Sequence, residues 1–508
     1  MAAALASSVA LVVASCGSTA TAPSVIPRPA PVPSEPPPEP PPLPWEQPPA
    51  SPPPIDSPLI AIVGGTVMTA AGETFVDGVV IMEDGRLVAV GPRDRTPIPQ
   101  GARRVDATGR WVTPGLIDAH SHVGVYAVPA LRATADGNEA TNPVTAHVWA
   151  GDSFWPQDPA ISRLLAAGVT TILVLPGSAN LIGGRGVTLR LRPGRSVGEM
   201  LFHGAPDTLK MACGENPRRV YGERNTAPST RMGNVAGYRA AFQGAAEYGR
   251  QWRDWQHQYR LWHQKRLRYE RALDAGIAAS PDGGVASPPD DPGPAPAPPA
   301  RDFGKEALLG ALEGRVLVQM HCYRADEMLR MIELGRQLGL RIRVFHHAVE
   351  AYKVRDVLAR EGIGVATWAD WWGFKLEAFD AIVENLALLT EAGVHAVLHS
   401  DSAQYAQRLG QEAGKALAAG RRAGVAIDED QALRWITAEA AWALGIESRT
   451  GTLEPGKMAD VVVWSGHPFS VYSHVDLVFL DGVLVYDRSR PDPSLVRDFE
   501  LGLTEPAP

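Results

Sequence analysis

The sequence is poor in cysteine. It has three in 508 residues, at positions 16, 213 and 322, too few for a disulfide framework. It has no excess of positive charge: the net charge of −8 gives no reason to expect a nucleic-acid partner. Basic residues are missing from its start, where no Lys or Arg precedes Arg28. The apolar run in that region is too short to span a bilayer as a mature helix. What is present is ordinary for a globular protein. Apolar residues make up 45%, and the length allows a large core and more than one domain.

The opening run MAAALASSVALVVASCGS is built of small apolar residues and ends at Cys16. It resembles a bacterial lipoprotein signal, cleaved before a cysteine that then carries lipid, although the usual basic n-region is absent. Gly17, rather than Asp, follows the cysteine, which in such lipoproteins implies the outer membrane facing the periplasm. Residues 23–58 hold eighteen of the chain's 45 prolines. Proline at that density excludes helix and central strand and favours an extended, semi-rigid spacer. The expected order is signal (1–16), linker (17–58), then a globular body from Leu59, with membrane contact through the N-terminal lipid only.

The body opens with short β-rich runs, LIAIVGGTVM and GVVIMEDGRLVAVG, the second turning at Asp84-Gly85. The same texture returns in ADVVVWSG and VDLVFLDGVLVYDR, turning at Asp481-Gly482. Between them, runs such as GVTTILVLPG, RVLVQMHCY, LRIRVFHHA, GIGVATWAD and GVHAVLHSDS read as buried strands. Helical patterns such as ADEMLRMIELGRQLG and KLEAFDAIVENLALLTEAG separate them. The alternation predicts an α/β fold: a (β/α)8 TIM barrel over 114–445, with a small β-sandwich made from 59–113 and 446–490. A helical insertion is expected over 218–305. Within it, residues 234–275 read as a long aromatic- and arginine-rich helix packed on the barrel, and 280–300 as a disordered loop.

The stretch PGLIDAHSHVG places His120 and His122 two apart at a strand end, on one face, where two imidazoles can reach one metal ion. The strand VLVQM ends in His321, IRVF in His346-His347, and AVLHSD in Asp401. In a barrel, chemistry gathers at the C-terminal ends of strands. Four strands ending independently in metal-ligand types is a pattern that isolated core histidines do not produce.

With PGLIDAHSH, AGVTTI, SDS at the eighth strand and GTLEPGKMADVVVW at the close, residues 59–490 resemble the metal-dependent amidohydrolase superfamily, in its imidazolonepropionase-like and dipeptidase-like branch. The resemblance implies a hydrolase using one or two divalent metals, zinc above all. It implies that His120 and His122 bind the more buried metal, that His321 and His347 bind the second, and that Asp401 touches a metal and moves the proton. A metal lowers the pKa of water from near 15.7 towards about 7 and polarises the scissile carbonyl. Asp401 can pass a proton to the leaving nitrogen. Relatives bridge two metals with a carboxylated lysine or a glutamate. Lys210, in APDTLKMACGEN, is favoured for that role, with Glu215 the alternative.

His346 and His347 are adjacent and face opposite sides of a strand, so one of them is the ligand, and His347, before the small Ala348, is favoured. His399 shares the face of Asp401 one step deeper and is expected to support the ligands. Cys322 is expected to be core, and Cys213 has no assigned place. For substrate, the glycine-rich Ser178–Gly186 reads as a loop that offers Arg185 to a carboxylate. Tyr323 and Trp371 are expected to line the pocket, with Arg324, Trp368, Asp370 and Trp372 beside them. Deaminases of the superfamily place Glu three residues after the fifth-strand histidine. Arg324 stands there, so hydrolysis of an amide, peptide or cyclic amide is preferred. The substrate is then a small molecule or short peptide, and oligomeric state is left open. The alternatives are a deaminase or ester hydrolase of the same superfamily, or a catalytically silent, lipid-anchored binding protein on the same barrel.

Overall fold

The computed structural model describes residues 41–45, 56–277 and 290–490. Cys16, the signal and most of the proline-rich linker lie outside the described residues, as do positions 280–289 of the expected loop. Among the described residues, no helix is long and apolar enough to cross a membrane. The described chain divides into two compact units: the larger takes in 42–45, 56–258 and 296–490, and the smaller includes 259–277 and 290–295.

The larger unit contains two eight-stranded sheets. The first joins both ends of the described chain. Its strands are β1 (Ile60–Met68), β2 (Thr74–Glu83), β3 (Arg86–Pro92), β4 (Arg103–Asp106) and β5 (Trp111–Pro114) from one end, and later strands β14 (Val461–Trp464), β15 (Val475–Leu480) and β16 (Val483–Asp487) from the other. The order is β16-β15-β14-β5-β1-β2-β3, with β4 on β1. The antiparallel register Val461↔Pro114 is where the two ends meet. Both Asp-Gly turns form as expected. Asp84, Gly85, Asp481 and Gly482 all have φ between 47° and 74°, the left-handed pair that a tight hairpin requires.

The second sheet runs in chain order through β6 (Leu116–Ser121), β7 (Val169–Val174), β8 (Ile182–Arg190), β9 (Thr208–Ala212), β10 (Leu317–Cys322), β11 (Ile342–His347), β12 (Gly364–Thr367) and β13 (Ala396–Leu398). It is nearly closed into a barrel. Instead of a ladder between β13 and β6, the Asp401 amide donates to the His120 carbonyl at 3.0 Å, and the Trp435-Ile436 segment bridges the two strands, its carbonyls accepting from the Leu398 and Ile117 amides. A buried cluster of Ile117, Leu173, Val344, Ala366 and Val397 ties five barrel strands to the helix Ala438–Leu444. Each of the fully buried Ile, Leu and Val side chains contributes about 1.5–3 kcal/mol.

One strand departs from the expected alternation. β8 runs antiparallel to both β7 and β9, so the Ser178–Gly186 stretch is a loop only as far as Leu181. Residues 182–186 lie inside β8. Glycine is a weak strand former, and IGGRG is held here by ladders on both sides rather than by its own propensity.

The expected aromatic arm is a helix over Arg231–Ile277. Trp252 and Tyr248 are buried in a cluster with Leu43 and Leu309. Arg231, at the start of the helix, pairs with both Glu327 and Glu377. Residues 290–300 are irregular but bonded: the Trp255 indole donates to the Pro296 carbonyl and the Trp262 indole to that of Gly293.

Candidate metal centre

Six histidines, one lysine and one aspartate converge at the end of the barrel sheet where β6, β10, β11 and β13 finish. His120 is fully buried. Its Nδ1 meets His346 Nδ1 at 2.8 Å, and its Nε2 lies 3.1 Å from Lys210 Nζ and 3.6 Å from Asp401 Oδ1. His122 binds the Leu175 carbonyl through Nδ1 and sits 3.1 Å from Asp401 Oδ1 through Nε2. The bond from a carbonyl to one ring nitrogen fixes which nitrogen is left to face the centre. His347 Nδ1 is 3.9 Å from Asp401 Oδ2. Ring centroids of His321 and His347 are 4.6 Å apart, and those of His347 and His399 are 5.0 Å apart.

Two groups have ligand atoms within 4.8 Å of one another: His120, His347 and His399, and His120, His122 and Asp401. Burial, first of all, keeps His120, His321, His346, His347 and His399 neutral, and nearby positive groups, Lys210 among them, act in the same direction; His399 falls to about 3. Neutral imidazole is the form that binds a metal. Burial acts to raise the Asp401 carboxyl, but the bond from His122 and the positive charge around it carry it below the usual carboxylate range. It is therefore an anion at neutral pH. Burial also pushes the Lys210 ammonium down to about 8, which brings its free amine within reach near neutrality.

The donor set fits a divalent metal. His321 Nδ1, His347 Nδ1 and both nitrogens of His399 are buried with no hydrogen-bond partner, a cost that a polar group in a protein interior rarely carries. The backbone is strained at the same place. His347 and Asp401 have φ of 69° and 54°, a region that non-glycine residues adopt at functional sites at a cost of about 1–3 kcal/mol.

The two adjacent histidines separate clearly. His346 is spent on protein partners, with Nε2 2.6 Å from Gln319 Oε1 and Nδ1 on His120. His347 keeps an open nitrogen. His399, expected one step deeper, stands among the others in the cluster itself. Lys210 lies on β9, the fourth barrel strand, wholly buried. Glu215 does not reach the cluster; it starts the helix Glu215–Gly222 and pairs with Lys375 at 3.6 Å.

Above the histidines lies an aromatic wall. Tyr323 stands 4.7 Å from His321 and 5.3 Å from His347 by ring centroid, Trp368 stacks on His347 at 4.6 Å, and Trp371 meets Trp368 at 4.8 Å. Asp370 is turned away to Lys415. Arg185 is not brought to the site. It pairs with Asp207 at 3.4 Å, at the start of β9 and away from the strand's end, because β8 is a strand and its alternation fixes the side chain's direction. Arg324 pairs with Asp326.

Three features have no signal in the sequence pattern. Cys213 and Cys322 form a disulfide, 109 residues apart in sequence, which corrects the expectation of an unbonded core Cys322. β9 and β10 are neighbours and the Cys213 amide donates to the His321 carbonyl, so the two thiols face each other beside a candidate ligand. Asn216 bonds Ser178 at 2.8 Å and approaches His321 Nε2 at 3.4 Å, while Lys375 donates to Asn216 at 2.8 Å and covers the Tyr323 ring at 4.2 Å. Asp118, pushed up to about 6 by burial, accepts from the amide of Ser400 and pairs with its hydroxyl, which anchors the 399–401 turn.

Comparison with known proteins shows the family. Residues 308–486 match the amidohydrolase family, Amidohydro_3. A crystal structure of an amidohydrolase from Thermotoga maritima is 35% identical and superposes with a TM-score of 0.69, covering 84% of this chain and all of that one. Amidohydrolase tasK of Hapsidospora irregularis is 33% identical over 425 residues, 81% of this chain, and the match spans 40% of that longer protein. A 5-methylthioadenosine/S-adenosylhomocysteine deaminase of Symbiobacterium thermophilum is 27% identical over 80% of this chain and 84% of its own length. By sequence, fold and the histidine-rich strand ends together, the chain belongs to the amidohydrolase family.

Proposed function

We propose that the protein is a metal-dependent hydrolase that cleaves the C–N bond of an amide, a short peptide or a cyclic amide, on an amidohydrolase (β/α)8 barrel with a β-sandwich beside it. The observation that carries this reading is the set of buried imidazoles with unpartnered nitrogens, His321, His347 and His399, clustered with one another and, through His347, beside Asp401. His120, His122, His321, His347 and Asp401 would hold one or two divalent ions, with His399 a further donor, and zinc suits an imidazole-rich set. Such an ion supplies Lewis acidity, lowering the pKa of water and polarising a carbonyl. Lys210, carboxylated on its free amine, would complete the set.

The chain's own groups do the rest. Asp401 takes the proton of the attacking water and returns it to the leaving nitrogen. Tyr323, Trp368 and Trp371 exclude water and present flat apolar faces to the substrate. Deamination is less well supported, since Arg324 occupies the position of the proton-shuttling glutamate and is turned to Asp326. For location, we infer the cell envelope, with a lipid on Cys16. The Cys213–Cys322 bond supports this, because disulfides persist outside the reducing cytosol.

The test is hydrolysis of a panel of dipeptides, cyclic amides and adenine nucleosides by metal-reconstituted protein. Turnover of an amide is expected. Ammonia release from nucleosides alone would favour the deaminase, and no turnover by the fully metallated protein would favour a silent binding protein.

A further inference from the structure

A second cavity, of about 760 Å³, lies well away from the histidine cluster. On β8, Gly184 pairs with Lys210 but Arg190 pairs with Thr171, near the start of β7. The cavity opens at that far end, between β8 and the Asp84-Gly85 turn of the first sheet. Its walls include Arg86, Arg190, Arg192, Phe202, Arg449 and Asp481.

The charges here do not balance. Arg190 is buried and pairs with Asp460 and, at 3.1 Å, with Asp481; Arg192 reaches Asp481 at 3.5 Å. Those two carboxylates account for two of the four guanidiniums. Arg86 and Arg449 contact only neutral oxygens, Arg86 donating to the Gly456 carbonyl at 3.3 Å and Arg449 to that of His203. Of the acids at the rim, Glu199 is held by Arg195 at 3.0 Å, and Asp84 is exposed on its turn. The Nε atoms of Arg190 and Arg192 and both carboxylate oxygens of Asp481 are buried without a hydrogen-bond partner. Burial, then repulsion from Arg86 and Arg190, holds Arg449 below the usual guanidinium range. Arg190 and Arg449 both lie over the Phe202 ring, at 5.4 and 4.7 Å from its centroid.

The pairing of Arg190 with Asp460 and Asp481 is enough to join barrel to sheet. It does not require Arg86 and Arg449 to converge on the same space. Two guanidiniums on the cavity wall, Arg86 and Arg449, have no carboxylate within ion-pair distance, and together they suit a small anion. Arginine's planar fork matches phosphate oxygens two at a time, and a phosphomonoester carries about −1.5 to −2 at pH 7. The volume lies within the range of small-molecule sites. We propose that this cavity binds a small organic phosphomonoester, at a site separate from the metal centre.

The test is calorimetric titration of the metallated full chain with inorganic phosphate and with phenyl phosphate at low ionic strength. Expected are one saturable site per chain and tighter binding of phenyl phosphate. Binding should weaken at least about tenfold in Arg86→Glu and in Arg449→Gln, the loss of a charge-assisted contact, with metal content unchanged. Arg86 is exposed, so Arg86→Glu decides the matter if Arg449→Gln fails to fold. Equal affinity in a folded variant would put the anion elsewhere, the metal centre included, and overturn the proposal. Succinate binding as tightly as phenyl phosphate would overturn the phosphate assignment.

Discussion

Breaking the Cys213–Cys322 bond should cost stability and loosen the metal centre together. The two cysteines close a loop of 109 residues, and chain-entropy scaling puts the stabilisation from a loop of that length at about 5 kcal/mol. Unfolding entropy near 2.1 cal/mol/K per residue turns this into a fall of roughly 5 °C in apparent melting temperature for a chain of this size. The bond also sits next to His321, whose carbonyl accepts from the Cys213 amide at 2.9 Å, so slack here reaches a candidate ligand directly. The variant is the double Cys213→Ala/Cys322→Ala, which removes the link without leaving a buried free thiol. The assay is thermal unfolding with and without reductant, paired with metal retention after dialysis. The variant should melt lower than the oxidised parent, respond no further to reductant and lose metal more readily. A variant that melts with the parent, or peptide mapping that finds Cys213 and Cys322 free in unreduced protein, would refute the reasoning.

Asp401→Asn should keep the fold and lose about a hundred- to ten-thousand-fold in turnover, because an amide cannot carry the proton; near-normal turnover of a cognate substrate would place the proton elsewhere. Lys210→Ala should lose activity and part of the metal content, and Glu215→Ala should lose little, since Glu215 faces Lys375 rather than the histidines; the opposite pattern in metal analysis would reverse the two roles.

Much of the site could be read because its residues fall at strand ends. His120 and His122 follow a run of strand formers. His321 and His347 each end an apolar run, Asp401 lies three residues past one, and Lys210 lies within one. Alternation and strand boundaries are local, so a linear pattern records them. What escaped depends on neighbours distant in sequence. IGGRG looks like a loop because glycine lacks strand propensity, and only pairing with β7 and β9 makes it a strand. A loop there would offer Arg185 to the site, whereas in the strand its side chain pairs with Asp207. The disulfide required knowing that the ends of β9 and β10 face each other across 109 residues. Lys375 and Asn216 lie outside the strands, and no periodicity marks them. The sequence places His399 behind the ligands, but β13 stops at Leu398, and past it the His399 ring lies 5.1 and 5.0 Å by centroid from those of His120 and His347.

The most direct test of the account is the metal content of the purified full chain, measured by elemental analysis after expression in zinc- or manganese-supplemented medium. The account predicts between one and two divalent ions per chain, falling in His120→Ala and in His347→Ala but not in His346→Gln, whose ring nitrogens are already occupied by His120 and Gln319. A folded protein that holds no divalent metal under these conditions would contradict it.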